Sequence, residues 1–184
     1  MVWCNEYRSG ELFMSDQDRV YQLAQTLGQL LNARHWRVAT AESCTGGGVA
    51  AAITAVAGSS NWFEYGLVTY ANQAKQHLLG VDPHVLEEHG AVSKPVVQQM
   101  VTGALNISGA QIAVAISGVA GPGGGSVEKP VGSVWFAWGS LDGWCEAKLL
   151  HLTGDRQQIQ RQAVIVALEG LIARLGTSGK STTV

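Results

Sequence analysis

Apolar positions along the chain recur with two spacings, and each spacing predicts one kind of element. Ser15 followed by Asp16 and Asp18 predicts a capped helix, in which apolar residues recur at helical spacing as far as Leu31. Similar patterns predict helices at 46–56, 72–79 and 84–89, a helix after Ser93 and a last helix after Arg156. Short apolar runs predict strands at 37–42, 66–70, 111–117, 131–138 and 145–152.

The order of these elements indicates the fold class. Strands alternate with helices, which predicts a three-layer α/β/α domain with right-handed crossovers and a mostly parallel sheet. A turn at 141–143 joins the last two predicted strands, so we expect an antiparallel hairpin at one edge of that sheet. We expect a loosely ordered leader at 1–14, a single domain at 15–176 and a flexible tail at 177–184.

Composition excludes several classes of protein. The chain has 184 residues, is 46% hydrophobic and carries a net charge of −2, which argues against nucleic acid as a partner. Cys4, Cys44 and Cys145 form no C-x-x-C pair, so a reducing cytoplasm is expected rather than a disulfide framework or a zinc site. No membrane span or signal peptide is predicted. The spacing of the histidines matches no metal motif, and we expect no metal.

Residues 38–53 read VATAESCTGGGVAAAI and predict a strand, a polar loop and a helix. Glycines in the loop permit close approach of a ligand, and the amides of Thr45, Gly46 and Gly47 at the helix start are candidates to stabilise an oxyanion. The pattern is neither a Walker loop nor a G-x-S-x-G elbow. A tight turn between strand and helix, with Ser43 only capping the helix, is the alternative.

Parallel strands end at the same edge of a sheet, so polar residues distant in sequence should converge there. Ser43, Tyr70 and Ser117 follow or end three predicted strands, and Lys75 lies just beyond Tyr70. A lysine shielded from water can act as general base toward a serine hydroxyl, and Tyr70 could orient the proton. In the alternative interpretation Lys75 is a solvated helix residue and Tyr70 a wall residue. Cys44 is a rival nucleophile or a small buried thiol.

Two further features are candidates for binding an anion. A second glycine-rich loop at 118–126, which includes Gly118 and Gly121, suggests close approach of the backbone to a ligand such as a phosphate. Arg156 stands at the predicted start of the last helix, where a cation opposes the helix dipole, so it is a candidate anion clamp. A plain connecting loop is the alternative for the glycine-rich segment.

Six ordered motifs closely resemble the CinA C-terminal-domain family, and within it the stand-alone nicotinamide-nucleotide amidases of the PncC type. They are TAESCTGG at 40–47, GSS at 58–60, VTYANQAK at 68–75, HGAVS at 89–93, ISGVAGP at 116–122 and EKPVG at 128–132. The resemblance implies hydrolysis of nicotinamide mononucleotide to nicotinic acid mononucleotide and ammonia, without a cofactor. A non-catalytic nucleotide-binding or competence-related interaction module is the competing function.

The resemblance also implies roles for individual residues. Ser43 would be the nucleophile, Lys75 its base and Tyr70 an assisting residue. Ser117 and the glycine loop after it would line the nucleotide pocket, and Arg156 would hold the substrate phosphate. The family tends to form dimers, so a homodimer or higher homo-oligomer is expected. The aromatic hairpin would then cover a partner subunit, or else pack on the last helix; its aromatic residues are Trp135, Phe136, Trp138 and Trp144.

Overall fold

Helices and strands alternate along residues 15–177, which are the residues that the computed structural model describes. The helices are α1 (Asp16–Arg34), α2 (Gly48–Thr54), α3 (Asn72–Leu79), α4 (Pro83–His89), α5 (Lys94–Ser108) and α6 (Arg156–Thr177). The strands are β1 (Val38–Glu42), β2 (Phe63–Val68), β3 (Ile112–Gly118), β4 (Ser133–Ser140) and β5 (Cys145–His151). The predicted leader, and the predicted tail beyond Thr177, lie outside the described residues.

One five-stranded sheet has the order β2-β1-β3-β4-β5. Strand β1 pairs in parallel with β2 and β3, whereas β4 is antiparallel to both β3 and β5. The expected α/β class, with a parallel part and an antiparallel hairpin at one edge, is therefore confirmed. The carboxyl ends of β1, β2 and β3 lie at the same edge of the sheet, because these three strands are parallel.

Helices cover both faces of the sheet and divide the core into two clusters. Ile112, Val114 and Ile116 face the layer formed by α1, α2 and α6. The opposite face carries mainly alanines from the central strands, together with Trp135 of β4, and these pack against α5 and its neighbours α3 and α4; the alanines are Ala39, Ala41, Ala113, Ala115 and Ala137. Such small side chains let α5 lie close to the strands. The position of α5 matters below because α3 packs directly on it.

Two predicted helix starts differ in how their serines act. Ser15 caps α1 as predicted: its hydroxyl accepts from the Asp18 N–H at 3.2 Å, and the Asp18 carboxylate accepts from the Ser15 N–H at 3.3 Å. Ser93 stands at the N-cap position of α5, but its hydroxyl donates to the Gly90 carbonyl at 2.8 Å instead of capping the helix.

Several predicted boundaries are wrong by a few residues, and two of these involve glycines. Strand β2 begins at Phe63 rather than at Gly66. Gly66 lies inside the strand, at a point where a Cβ atom would come 2.9 Å from the Cβ of Ala50 on α2. The glycine admits α2 and does not mark the strand's start. Helix α2 begins at Gly48 rather than at Gly46, because Gly46 and Gly47 adopt left-handed φ angles of 63° and 96°.

The aromatic residues of the hairpin pack within this chain. The rings of Phe136 and Trp138 stack with their centroids 5.6 Å apart, and Trp138 Nε1 donates to the Ala167 carbonyl on α6 at 3.0 Å. Trp144 lies under the guanidinium of Arg174, also on α6. Packing on the last helix is therefore confirmed for Trp138 and Trp144. Trp135 packs instead on the opposite face of the sheet, in the cluster with α5. No helix within the described residues is long and apolar enough to cross a membrane.

Candidate active site

Ser43 and Lys75 meet at the carboxyl edge of the sheet. Lys75 lies in the first turn of α3, and its Nζ is 3.2 Å from Ser43 Oγ. The same nitrogen donates to the carbonyls of Thr69 at 2.8 Å and Tyr70 at 3.2 Å. Lys75 is 1% exposed, so the interpretation as a solvated helix residue is wrong. The expected convergence of β1 and the segment after β2 is confirmed.

The surroundings of Lys75 favour its neutral form. Burial lowers the pKa of the Lys75 amine below its ordinary value, because removal from water penalises the ammonium. None of its three hydrogen-bond partners is a carboxylate. Two of the partners are main-chain carbonyls, which can hold the two N–H groups of a neutral amine. Its lone pair is then left for the Ser43 hydroxyl.

Ser43 directly follows β1 and does not cap α2. Its N–H donates to the Ile116 carbonyl on β3 at 3.0 Å, which anchors Ser43 to the central strand pair. The N-cap of α2 is Gly47, with no side-chain cap hydrogen bond, so the capping interpretation of Ser43 is wrong. Ser43 is followed by a tight turn, in which the Gly46 N–H donates to the Ser43 carbonyl at 3.0 Å. We call residues 43–47 the nucleophile loop.

Cys44 is not equipped to compete with Ser43. The residue is 5% exposed, and burial raises the pKa of its thiol to about 12, with a smaller contribution in the same direction from Glu42. The thiol therefore stays protonated near neutral pH. Gln160 on α6 donates to the Cys44 carbonyl at 2.8 Å and ties the loop to that helix.

Glu42, the last residue of β1, was missed by the sequence analysis. Its carboxylate is 1% exposed and accepts hydrogen bonds from the start of α2 and from the nucleophile loop, including the Gly47 N–H at 3.0 Å. This corrects the expected oxyanion site: the Gly47 amide is taken by Glu42 and the Gly46 amide by the Ser43 carbonyl. Of the three predicted amides, only that of Thr45 has no hydrogen-bond partner in the described part of the chain. The sequence feature that could have indicated this role is a carboxylate shortly before a glycine-rich helix start, because the N-terminus of a helix favours an anion.

Arg156 connects three parts of the site. It is the first residue of α6, and its Nη1 donates to the Gly121 carbonyl of the second glycine-rich loop at 2.8 Å. Its Nη2 donates to the Tyr70 hydroxyl at 3.1 Å. Tyr70 is 60% exposed, so it borders the site from the solvent side while its carbonyl contacts Lys75. The structure therefore brings Tyr70, Gly121 and Arg156 together beside the Ser43–Lys75 pair.

Ser117 and Gly118 end β3, the strand next to β1. Ser117 follows the residue that binds the Ser43 N–H, but its own side chain is buried and donates to the Ala91 carbonyl at 2.8 Å. At Gly118 a Cβ atom would lie 2.7 Å from Val134 Cγ2, so the glycine allows close packing on β4. The Ser117 hydroxyl is thus engaged with the segment before α5, and Gly118 packs against β4.

A groove of about 600 Å³ lies between α1, α2 and α6. It touches the nucleophile loop only through Thr45, and neither Ser43 nor Lys75 lines it. The groove is therefore lined by neither the candidate nucleophile nor its candidate base. Within residues 15–177 no group of three or more histidine, cysteine, aspartate or glutamate side chains is arranged to hold a metal ion.

Comparison with known proteins identifies the family. The sequence model of the family described as CinA C-terminal domain matches residues 20–175, which is most of the chain. This chain belongs to the CinA C-terminal domain family. The six motifs that suggested the resemblance all lie within the matched residues of this CinA domain, and the proposed Ser43–Lys75 pair is formed by two of them.

Two relatives and one solved structure show how far the similarity extends. Nicotinamide-nucleotide amidohydrolase PncC of Escherichia coli strain K12 is 52% identical over 158 residues, covering 86% of this chain and 95% of the relative. PncC of Pseudomonas putida is 53% identical over 163 residues, covering 87% and 99%. The competence/damage inducible protein CihA of Agrobacterium tumefaciens matches the CinA domain with a TM-score of 0.83 at 43% identity, covering 91% and 99%.

Proposed function

We propose that this CinA domain hydrolyses the carboxamide of nicotinamide mononucleotide, which yields nicotinic acid mononucleotide and ammonia. The observation that carries the proposal is the buried Lys75 amine, 3.2 Å from Ser43 Oγ and without a carboxylate partner. The relatives named nicotinamide-nucleotide amidohydrolase are about half identical over most of both chains, which supports an amidohydrolase.

In the proposed reaction Ser43 Oγ attacks the carboxamide carbon while neutral Lys75 accepts the hydroxyl proton. Lys75 passes that proton to the leaving nitrogen, and ammonia departs from a tetrahedral intermediate to leave an ester on Ser43. Water, deprotonated by the same amine, then attacks the ester carbon; the bond to Ser43 Oγ breaks, Lys75 returns the proton to that oxygen, and the acid is released. The carbonyls of Thr69 and Tyr70 hold the amine in place throughout, because they accept from its nitrogen at 2.8 and 3.2 Å.

The oxyanion of the tetrahedral intermediate needs donors that are not already used. The Thr45 N–H meets this condition among the three amides considered, so we assign it to the oxyanion. Gly46 and Gly47 contribute by permitting the left-handed backbone that the nucleophile loop requires. Their amides stabilise the loop itself and not the intermediate.

Arg156 is the group we assign to the substrate phosphate. A guanidinium carries five N–H donors, and two donor contacts here go to Gly121 and Tyr70. These contacts fix the guanidinium plane and leave other N–H groups for an anion. Helix α2 is not an alternative phosphate site, because Glu42 already occupies its N-terminal amides. Ser117, Gly118 and Gly121 would line the pocket on the remaining side.

The test is ammonia release from nicotinamide mononucleotide by the purified protein with a chelator present. Ser43→Ala and Lys75→Ala are expected to lose turnover by at least about 1000-fold and to retain their fold and nucleotide binding, measured by calorimetry. Ser60→Ala and Lys148→Ala, which change a serine and a lysine distant from this pair in sequence, are the matched controls. An inactive wild type that binds the nucleotide would instead support the non-catalytic nucleotide-binding module.

We also propose the remaining organisation of the protein. Residues 15–176 form a single domain, which is supported by one sheet shared between both helix layers. The family resemblance supports a homodimer or higher homo-oligomer. Cys44 and Cys145, both free in the described part of the chain, support a cytoplasmic location. Sedimentation of the purified protein would test the oligomeric state.

A further inference from the structure

The carboxylate of Glu42 is buried without a cation among its hydrogen-bond partners. Its Oε2 accepts from Thr45 Oγ1 at 2.7 Å, from the Gly47 N–H at 3.0 Å and from the Val49 N–H at 3.1 Å. Its Oε1 accepts from the Ala50 N–H at 2.8 Å and from Thr40 Oγ1 at 3.3 Å. The negative charge is therefore stabilised by N–H groups at the start of α2 and by two hydroxyls.

These contacts restrain the nucleophile loop from both ends. Glu42 is the residue before Ser43, and it binds Gly47, the residue at which the loop enters α2. In the middle of the loop it binds the hydroxyl of Thr45 and leaves the Thr45 N–H without a partner. The helix that follows is only seven residues long, so it offers little stability of its own to hold the loop.

We propose that Glu42 is the positioning residue of the proposed reaction. It does not touch the substrate in this scheme. It holds the nucleophile loop in the one arrangement that sets Ser43 Oγ against Lys75 Nζ and keeps the Thr45 amide free for the oxyanion. This inference rests on the proposed function. It predicts that removing the charge of Glu42 damages turnover far more than it damages substrate binding.

A glutamine at this position cannot reproduce the contacts. Its amide has one acceptor oxygen, so its NH₂ group must face a donor that now binds a carboxylate oxygen. If the oxygen stays with Thr45 and Gly47, the NH₂ group meets the Ala50 N–H. A misplacement of reacting groups by about 1 Å can cost about 100-fold in rate. We therefore expect kcat to fall by about 10- to 100-fold in Glu42→Gln.

The experiment compares Glu42→Gln with Asp82→Asn, which alters a similar helix-start contact on α4, where Asp82 Oδ1 accepts from the His84 N–H at 2.8 Å. Three measurements are made on both variants: thermal unfolding, kcat and KM on nicotinamide mononucleotide, and the rate at which a phosphonofluoridate modifies Ser43. Intact mass spectrometry follows the modification. Glu42→Gln is expected to lower kcat and the modification rate together, with KM within about threefold of wild type. Asp82→Asn is expected to change only the unfolding temperature.

Equal kcat and modification rates, within twofold, in the two variants would overturn the inference. If Glu42→Gln fails to fold, Glu42→Asp takes its place, since it keeps the charge but shortens the side chain by one methylene. Its kcat is expected to be at least about tenfold below that of the wild type. A wild-type kcat would overturn the inference. Failure of both to fold would overturn it too, because Glu42 would then be a folding residue. If the wild type does not turn over the nucleotide, the proposed function fails, and the rates of Ser43 modification alone decide the role of Glu42.

Discussion

Gly103 on α5 controls the position of the proposed base, although it lies outside the site. A Cβ atom built at Gly103 would lie 2.0 Å from the Leu79 carbonyl oxygen and 2.7 Å from the Leu79 carbonyl carbon. Leu79 ends α3, one helical turn after Lys75. Since both atoms belong to the backbone, no rotation of a side chain can relieve the contact. Gly103→Ala must therefore move α3 away from α5.

The size of the effect follows from these distances. Ordinary contacts of a Cβ atom begin at 3.4 Å, so α3 has to shift by roughly 1 Å or more, depending on how α5 yields. Overpacking of this kind costs about 1–3 kcal/mol and occasionally more, and the better helix propensity of alanine offsets about 1 kcal/mol. Because the clash is with backbone at 2.0 Å, we expect the upper end of the difference, a net loss of about 2 kcal/mol, which lowers Tm by about 4–8 °C. Displacement of Lys75 from Ser43 by about 1 Å should lower kcat by about 100-fold.

The assay combines thermal unfolding with ammonia release from nicotinamide mononucleotide. Gly176→Ala is the control without a steric clash, because an added Cβ there has nothing within 4 Å; it is expected to keep kcat and not to lower Tm. Gly28→Ala is the destabilised control, since its Cβ would lie 2.7 Å from the Trp62 ring in the α1 layer, on the other side of the sheet from α3 and α5. It is expected to lower Tm while kcat stays within about twofold of wild type.

A kcat for Gly103→Ala within twofold of that for Gly28→Ala would refute this reasoning. It would mean that α3 accommodates the methyl group without displacing Lys75. A lower Tm with normal turnover would separate the stability of the α3–α5 contact from the geometry of the site. A large loss of kcat at an unchanged KM would connect the two.

Three further predictions concern the site itself. The kcat/KM of the wild type should rise with pH as Lys75 loses its proton. It should level off below pH 10.5, because burial lowers the pKa of Lys75 from the ordinary lysine value of 10.5. A profile that does not rise in that range would contradict the role of Lys75 as base. Cys44→Ala should keep turnover within about threefold, because the pKa of the thiol is about 12, and should lower Tm by about 2–4 °C, because the thiol is buried. Loss of turnover in a folded variant would show that the Cys44 thiol takes part in the reaction. Tyr70→Phe should lower kcat/KM by about 3- to 30-fold, because it removes the hydroxyl that accepts from Arg156 Nη2. Tm should not change, because Tyr70 is 60% exposed. Full activity would show that this contact does not orient Arg156.

Most of the architecture could be predicted from local patterns. The sequence predicts helix α3 with its observed bounds and the N-cap of α1 at Ser15, whereas the reciprocal bond from the Asp18 carboxylate was found in the structure. Helix periodicity and capping depend on residues a few positions apart, so a single sequence contains the relevant information. Glycines are less informative: the pattern predicts a strand that starts at Gly66, whereas this glycine lies inside β2 and gives room to the neighbouring helix α2.

The convergence of Ser43 and Lys75 was also predictable, because parallel strands in an α/β sheet end at the same edge whatever their length. Only the tertiary structure decided which groups around them are free to act. The Gly47 amide pattern predicted an oxyanion donor, but that amide is used by Glu42, which lies five positions earlier. The lowered pKa of Lys75 likewise depends on the burial of its amine beside Ser43 and the segment after β2. Burial and hydrogen-bond pairing are set by neighbours that folding brings together, and a pattern of residue types does not contain those distances.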